Sequence, residues 1–181
     1  MQSKRTPWCL LVVAVLASTS FDSARAQGEP VTQGLGLFLG AGADFDTDAF
    51  LIQAGIDCGG VMNTPFGLTG LLAIGVGNQE FGQADNYNVI RLAAKGRYEF
   101  SVTDGGNVAA YPFAGIGLYR WSADYGEGEF GGTVTETEAV VDIGAGVQYN
   151  NIGVEVLTSL NGPSAGVRVH YRLGLGNKDD R

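Results

Sequence analysis

From Gly34 to Leu173 the chain alternates. Leu35, Leu37, Leu39, Ala41 and Ala43 fall on one parity; Gly36, Phe38, Gly40, Gly42 and Asp44 fall on the other. Successive side chains of a strand point to opposite faces, so Gly34 to Asp44 reads as a two-faced strand. The pattern recurs seven times, predicting strands from Phe50 to Cys58, Phe66 to Asn78, Asn88 to Phe100, Val108 to Trp121, Thr133 to Tyr149, Ile152 to Leu160 and Gly166 to Leu173. A tilted strand crosses a bilayer in about 9 to 11 residues, and most of these are long enough. Eight is the smallest even strand number usual for bacterial outer-membrane barrels. No segment carries helical periodicity.

The closing strand shows which face is which. Val167, Val169, Tyr171 and Leu173 form an apolar side, and Arg168, His170 and Arg172 form the other. The expected arrangement turns the apolar side to lipid and the cations to the inside of a small closed barrel. The connections support it. Those after strands two, four and six are mostly tight, as at Thr103-Asp104-Gly105-Gly106 and Asn150-Asn151. Those after strands one, three and five are longer and acidic. Outer-membrane barrels pair short periplasmic turns with longer outer loops in this way. The predicted fold is therefore all-β: an eight-stranded antiparallel up-and-down transmembrane barrel.

Composition narrows the picture. Residues 1–26 open with Lys4 and Arg5, continue in an apolar run from Trp8 to Ala17 and end in Ala24-Arg25-Ala26. This reads as a secretory signal peptide cut before Gln27. The run is too short for a membrane helix, which needs about 20 residues. Residues 27–174 would form the barrel and residues 175–181 a polar tail. Without the leader the chain carries eight basic and eighteen acidic residues, a net charge of −10, so nucleic acid is not an expected partner. Cys58 is then the sole cysteine, which excludes an internal disulfide and a Cys/His zinc site. The 29 glycines sit largely within the alternating runs, where they weaken a strand unless side chains would crowd. A narrow barrel interior is such a place.

The inward parity collects an unusual set of charges. The fourth strand supplies Arg91, Lys95, Arg97 and Glu99; the sixth supplies Glu136, Glu138 and Asp142; the seventh supplies Glu155; the eighth supplies Arg168, His170 and Arg172. Leaving His170 aside, five positive charges meet five negative ones. A buried charge without a partner costs several kcal/mol, so the balance points to a salt-bridged plug. Eight strands enclose just enough space for side chains to fill. The acidic sixth strand is expected to serve the basic fourth and eighth strands.

Two segments resemble a known family. Tyr111-Pro112-Phe113-Ala114-Gly115-Ile116-Gly117-Leu118 and the closing Val167-Arg168-Val169-His170-Tyr171-Arg172-Leu173 are similar to the eight-stranded OmpA/OmpX-type outer-membrane barrels. The family's closing strand commonly ends Tyr-Arg-Phe. Here Leu173 stands in place of the aromatic, and a polar tail follows. The resemblance implies a protein of the bacterial outer membrane, in contact with outer-membrane lipid and lipopolysaccharide and delivered by the outer-membrane assembly machinery. A monomer with a structural or surface-interaction role is expected, with no cofactor and no catalytic residues.

The residues offer three chemical alternatives. Some barrels of this kind are lipid A-modifying enzymes, which would require His170 with a serine and an acid. Ser159 and Glu155 are the nearest candidates, without distinctive spacing. Asp44, Asp46 and Asp48 form an acidic run, but Ala49 and Gly55 occupy the positions where an EF-hand needs glycine and glutamate. With Glu80, Asp85, Asp124, Glu127 and Glu129 they read as a solvated acidic rim. A soluble exported barrel of lipocalin type would place the aliphatic residues inside, around an apolar ligand. Tyr87, Tyr98, Phe100, Trp121 and Tyr149 fall near strand ends and are candidates for interfacial aromatic girdles.

Overall fold

The computed structural model describes residues 34–45, 47–61, 64–77, 86–103, 107–125, 131–162 and 165–175. The expected leader and residues 176–181 of the expected tail lie outside them. The strands are β1 (Gly34–Asp44), β2 (Ala49–Gly59), β3 (Phe66–Gly77), β4 (Asn86–Tyr98), β5 (Phe100–Ser101), β6 (Val108–Asp124), β7 (Thr133–Tyr149), β8 (Ile152–Leu160) and β9 (Gly166–Gly174). Sequential strands other than β4 and β5 pair antiparallel, β4 pairs with β6, and β9 returns to β1, so the sheet closes on itself.

β5 continues β4. Arg97 lies opposite Phe113, and Phe100 lies opposite Ala110 in unchanged register. The interruption at Glu99 lies next to the level of Pro112, which gives the ladder no N–H. On the other side the Glu99 amide donates to the Pro65 carbonyl at 2.8 Å, which extends the β3–β4 register by one pair. Counting β4 and β5 as one stave, the barrel has eight staves, as its alternation predicts.

The facing is unambiguous. Outward positions hold Leu39, Ile52, Leu72, Ile74, Ile116 and Val147, each at least half exposed, with Ile116 at 69%. Inward positions hold the buried charges. A soluble ligand-binding barrel reverses this order, so the lipocalin alternative is overturned by the facing itself. The inward glycines make room for these long side chains. A Cβ on Gly42 would collide with the Arg168 side chain across the β1–β9 pair. His170 is packed between Gly40 on β1 and Gly153 on β8 in the same way.

At one end of the barrel lie the turns at 60–65, 102–107 and 150–151; at the other lie the connections at 45–48, 78–85, 125–132 and 161–165. The expected contrast in loop length rests on 78–85 and 125–132, since 45–48 is as tight as the turns opposite. The hairpin of β6 and β7 is the tallest part, with 17 residues in each strand against nine in β8. The last pair between β7 and β8 is Val141 with Leu160, so, among the described residues, 133–140 have β6 on one side and no strand on the other.

Candidate functional site in the barrel interior

Among the described residues ten charged side chains are buried inside: Asp44, Asp57, Arg91, Lys95, Arg97, Glu99, Asp142, Glu155, Arg168 and Arg172, five of each sign. They are held by strand parity, and four of the six ion pairs join staves that are not neighbours. Arg91 on β4 reaches past β6 to pair with Asp142 on β7. Ser159 on β8 donates to the same Asp142 oxygen at 2.6 Å and accepts from Arg91 Nη2 at 3.0 Å. Lys95 Nζ crosses to Glu155 Oε2 on β8 at 2.8 Å and lies 4.6 Å from the centre of the Phe113 ring.

Asp57 on β2 is the hub of the turn-side half. It pairs with Arg97 of β4 and, at 2.6 Å, with Nε of Arg172 on β9. Thr69 Oγ1 donates to it at 2.9 Å. Arg97 Nε also meets Glu99 Oε1 at 2.7 Å. Arg168 on β9 pairs with Asp44 on β1. Both arginines of the closing strand therefore bind acids of the first hairpin, fastening the seam where chain start meets chain end.

The loop-side half holds an apolar cluster beside its own two ion pairs, Arg91 with Asp142 and Arg168 with Asp44. Leu51, Leu71, Val89 and Val140 are buried there with Tyr87 and Tyr119, whose hydroxyls lie 3.1 Å apart. Among the described residues the interior cavity measures about 20 Å³ and is lined by Phe38, Gln53, Asp57, Lys95, Glu155 and His170, among others. That is room for about one water, against the several hundred Å³ that a small-molecule pocket needs.

Two expected members of the set lie elsewhere. Glu136 is exposed and Glu138 half-buried, and neither forms an ion pair among the described residues. Both sit on the stretch of β7 beyond the end of β8, where inward parity no longer means an enclosed interior. Asp44 and Asp57 take the two acidic places. Asp44 is fully buried on the inward parity of β1 and is not part of a solvated rim. Both were findable. Asp44 shares parity with Phe38 and Gly42, and Asp57 with Gln53 and Gly55. His170 faces inward but, among the described residues, pairs with no carboxylate at salt-bridge distance.

The girdle expectation also needs correction. Tyr87 is buried and Trp121 half-buried, stacked on each other at 6.0 Å inside the loop-side mouth. Tyr98 and Tyr149 do face outward, and Phe66 and Tyr171 join them at the turn-side rim. The structure does not bring His170 and Ser159 together. His170 lies opposite Gly153, and Ser159 is six residues further along β8, roughly 20 Å away. Among the described residues no three His, Cys, Asp or Glu side chains gather as a metal site.

The fold and interior together define a closed eight-stranded antiparallel barrel with an apolar outer wall and an ion-paired inside. No family model matches the chain, and no curated protein matches it. Solved structures do resemble it in fold. The Neisserial surface protein NspA has a TM-score of 0.49 at 15% identity, covering 78% of this chain and 94% of that one. The N-terminal β-barrel domain of Pseudomonas aeruginosa OprF has a TM-score of 0.47 at 16% identity, covering 78% and 98%. The outer membrane enzyme PagL has a TM-score of 0.44 at 20% identity, covering 77% and 99%.

Proposed function

We propose that this chain is a bacterial outer-membrane barrel whose interior is closed and whose work is structural or done at its loop end. One observation carries the reading: the aliphatic residues lie on the outside of a closed sheet whose charges are paired within. In water such a wall would be a single exposed apolar surface, far larger than soluble monomers tolerate. In a bilayer the wall is solvated by lipid, and closure leaves no unpaired sheet edge in the hydrocarbon. The turn-side ring of Phe66, Tyr98, Tyr149 and Tyr171 suits the membrane–water boundary.

The test is gel mobility of membrane-extracted protein, boiled against unboiled, together with outer-membrane fractionation. A heat-dependent shift in the outer-membrane fraction is expected. A periplasmic protein without a shift would sink the reading. Closure is tested separately in planar bilayers, where no steady conductance is expected.

The surface role is supported by the tall β6–β7 hairpin. Among the described residues, 133–140 leave backbone donors and acceptors without a strand partner on one side, which is how sheet edges recruit other chains. A role in catalysis is disfavoured because His170 lies inside the wall, whereas a lipid substrate lies outside it. Unchanged lipid A in cells carrying His170→Ala is the expected outcome, and altered acylation would reopen the enzymatic reading.

A further inference from the structure

Six Lys and Arg residues lie within the described residues, and five of them are inside the barrel. The sixth, Arg120 on β6, is exposed on the outward parity between Leu118 and Ser122. Its level on the wall is fixed by register. One outward step toward the turns, Leu118 is flanked by Leu92 and Ala139, all apolar. At its own level, Arg120 is flanked by Ile90 and Thr137. One outward step toward the loops, Ser122 is flanked by Asn88 and Thr135, all polar, and Thr135 Oγ1 donates to Ser122 Oγ at 3.2 Å. The wall thus passes from aliphatic to hydroxyl and amide within two steps, and Arg120 stands at the change.

Among the described residues no acid neutralises it there. Glu136 and Glu138, which flank its cross-strand partner Thr137, have the opposite parity. Asp124 is the nearest outward acid on the same strand, four residues on and roughly 13 Å away. Arg120 makes no ion pair among the described residues. A guanidinium at the edge of an apolar wall sits at headgroup depth, and its planar fork of donors matches a phosphate better than an ammonium does.

We propose that Arg120, with the hydroxyls of Thr137, Ser122 and Thr135 beside it, binds the phosphate of a membrane lipid at the loop-side rim. The inference rests on the membrane-spanning reading and adds a specific contact to it. Phospholipids and phosphorylated glycolipids share this chemistry.

The test uses the full-length protein in dodecylmaltoside micelles, titrated by native mass spectrometry with dioleoylphosphatidylglycerol, with lipid A and with a phosphate-free galactolipid. R120Q is expected to weaken retention of both phosphorylated lipids about fivefold, the weight of one cation near an anionic surface. Galactolipid binding should be unchanged, and R120K should restore part of the loss. Equal retention by wild type and R120Q overturns the proposal, as does an equal loss for all three lipids. Release of bound lipid by millimolar inorganic phosphate would make the site one for free phosphate and overturn the lipid assignment. Both variants should keep the heat-dependent gel shift. Its absence from the wild type would refute the membrane reading instead, so the two failures are distinguishable.

Discussion

Asp57→Ala tests the interior most directly. Asp57 holds two arginines from different staves, with side-chain exposures of 4% for the acid and 9% and 10% for Arg97 and Arg172. At about 4 Å between charge centres and an effective dielectric near 20, each pair is worth roughly 4 kcal/mol of Coulomb energy. Desolvation of three ions offsets much of that in the wild type. Removing the acid leaves the desolvation of both cations without its return, and breaking a buried pair typically costs about 3–5 kcal/mol. Arg97 keeps Glu99, and Arg172 keeps the Gly34 carbonyl at 3.0 Å, so the expected loss is about 3 kcal/mol. Urea unfolding in phospholipid vesicles, followed by the unheated gel band, measures it. Adding Arg172→Met removes one stranded charge and should recover roughly 1 kcal/mol or more. A loss below about 1 kcal/mol for Asp57→Ala would refute the reasoning, because it would mean that water already solvates the arginines and the interior is an open lumen.

The same physics makes further predictions. Lys95→Met alone should cost about 3–5 kcal/mol, while Lys95→Met with Glu155→Leu should be near neutral, since matched apolar replacement of a buried pair is tolerated; vesicle unfolding of the single and double variants decides it. Leu72→Arg, on the lipid-facing wall between Ala54 and Leu92, should destabilise the vesicle-embedded barrel by about 2–4 kcal/mol, whereas a wall facing water would lose little. Gly42→Leu should displace Arg168 from Asp44 and lower the yield of heat-shiftable protein, with Gly70→Leu as the control, because Gly70 has open space where a Cβ would stand.

The alternation made most of this barrel legible. Parity alone separates Leu35, Leu37 and Leu39 from Phe38 and Asp44, and it places Arg91, Lys95, Arg97, Arg168 and Arg172 on one side of the sheet. A period of two needs only local backbone geometry, so it survives without knowledge of the fold. The last strand, with three basic side chains on one face, also implied that acids must be supplied from elsewhere. Parity offers Asp44 and Asp57 along with Glu136 and Glu138; which acids of that parity lie within the enclosed interior was not legible. Glu136 and Glu138 have the correct parity but lie past the end of β8, and strand height is a property of the neighbours. Tyr87 was misread for a similar reason, because closeness to a strand end does not say which face a ring is on when the boundary between loop and strand is uncertain.

What the sequence determined by itself was thus the two-faced strand, its recurrence and the inward set of cations. Tertiary structure decided the pairing. Closure brings β9 against β1, so Arg168 meets Asp44 and Arg172 reaches Asp57, partners more than a hundred residues away in the chain. It also brings β4 within reach of β7 and β8 across the interior. Such contacts depend on register and barrel curvature, which arise only when all eight staves are in place; no single strand carries that information.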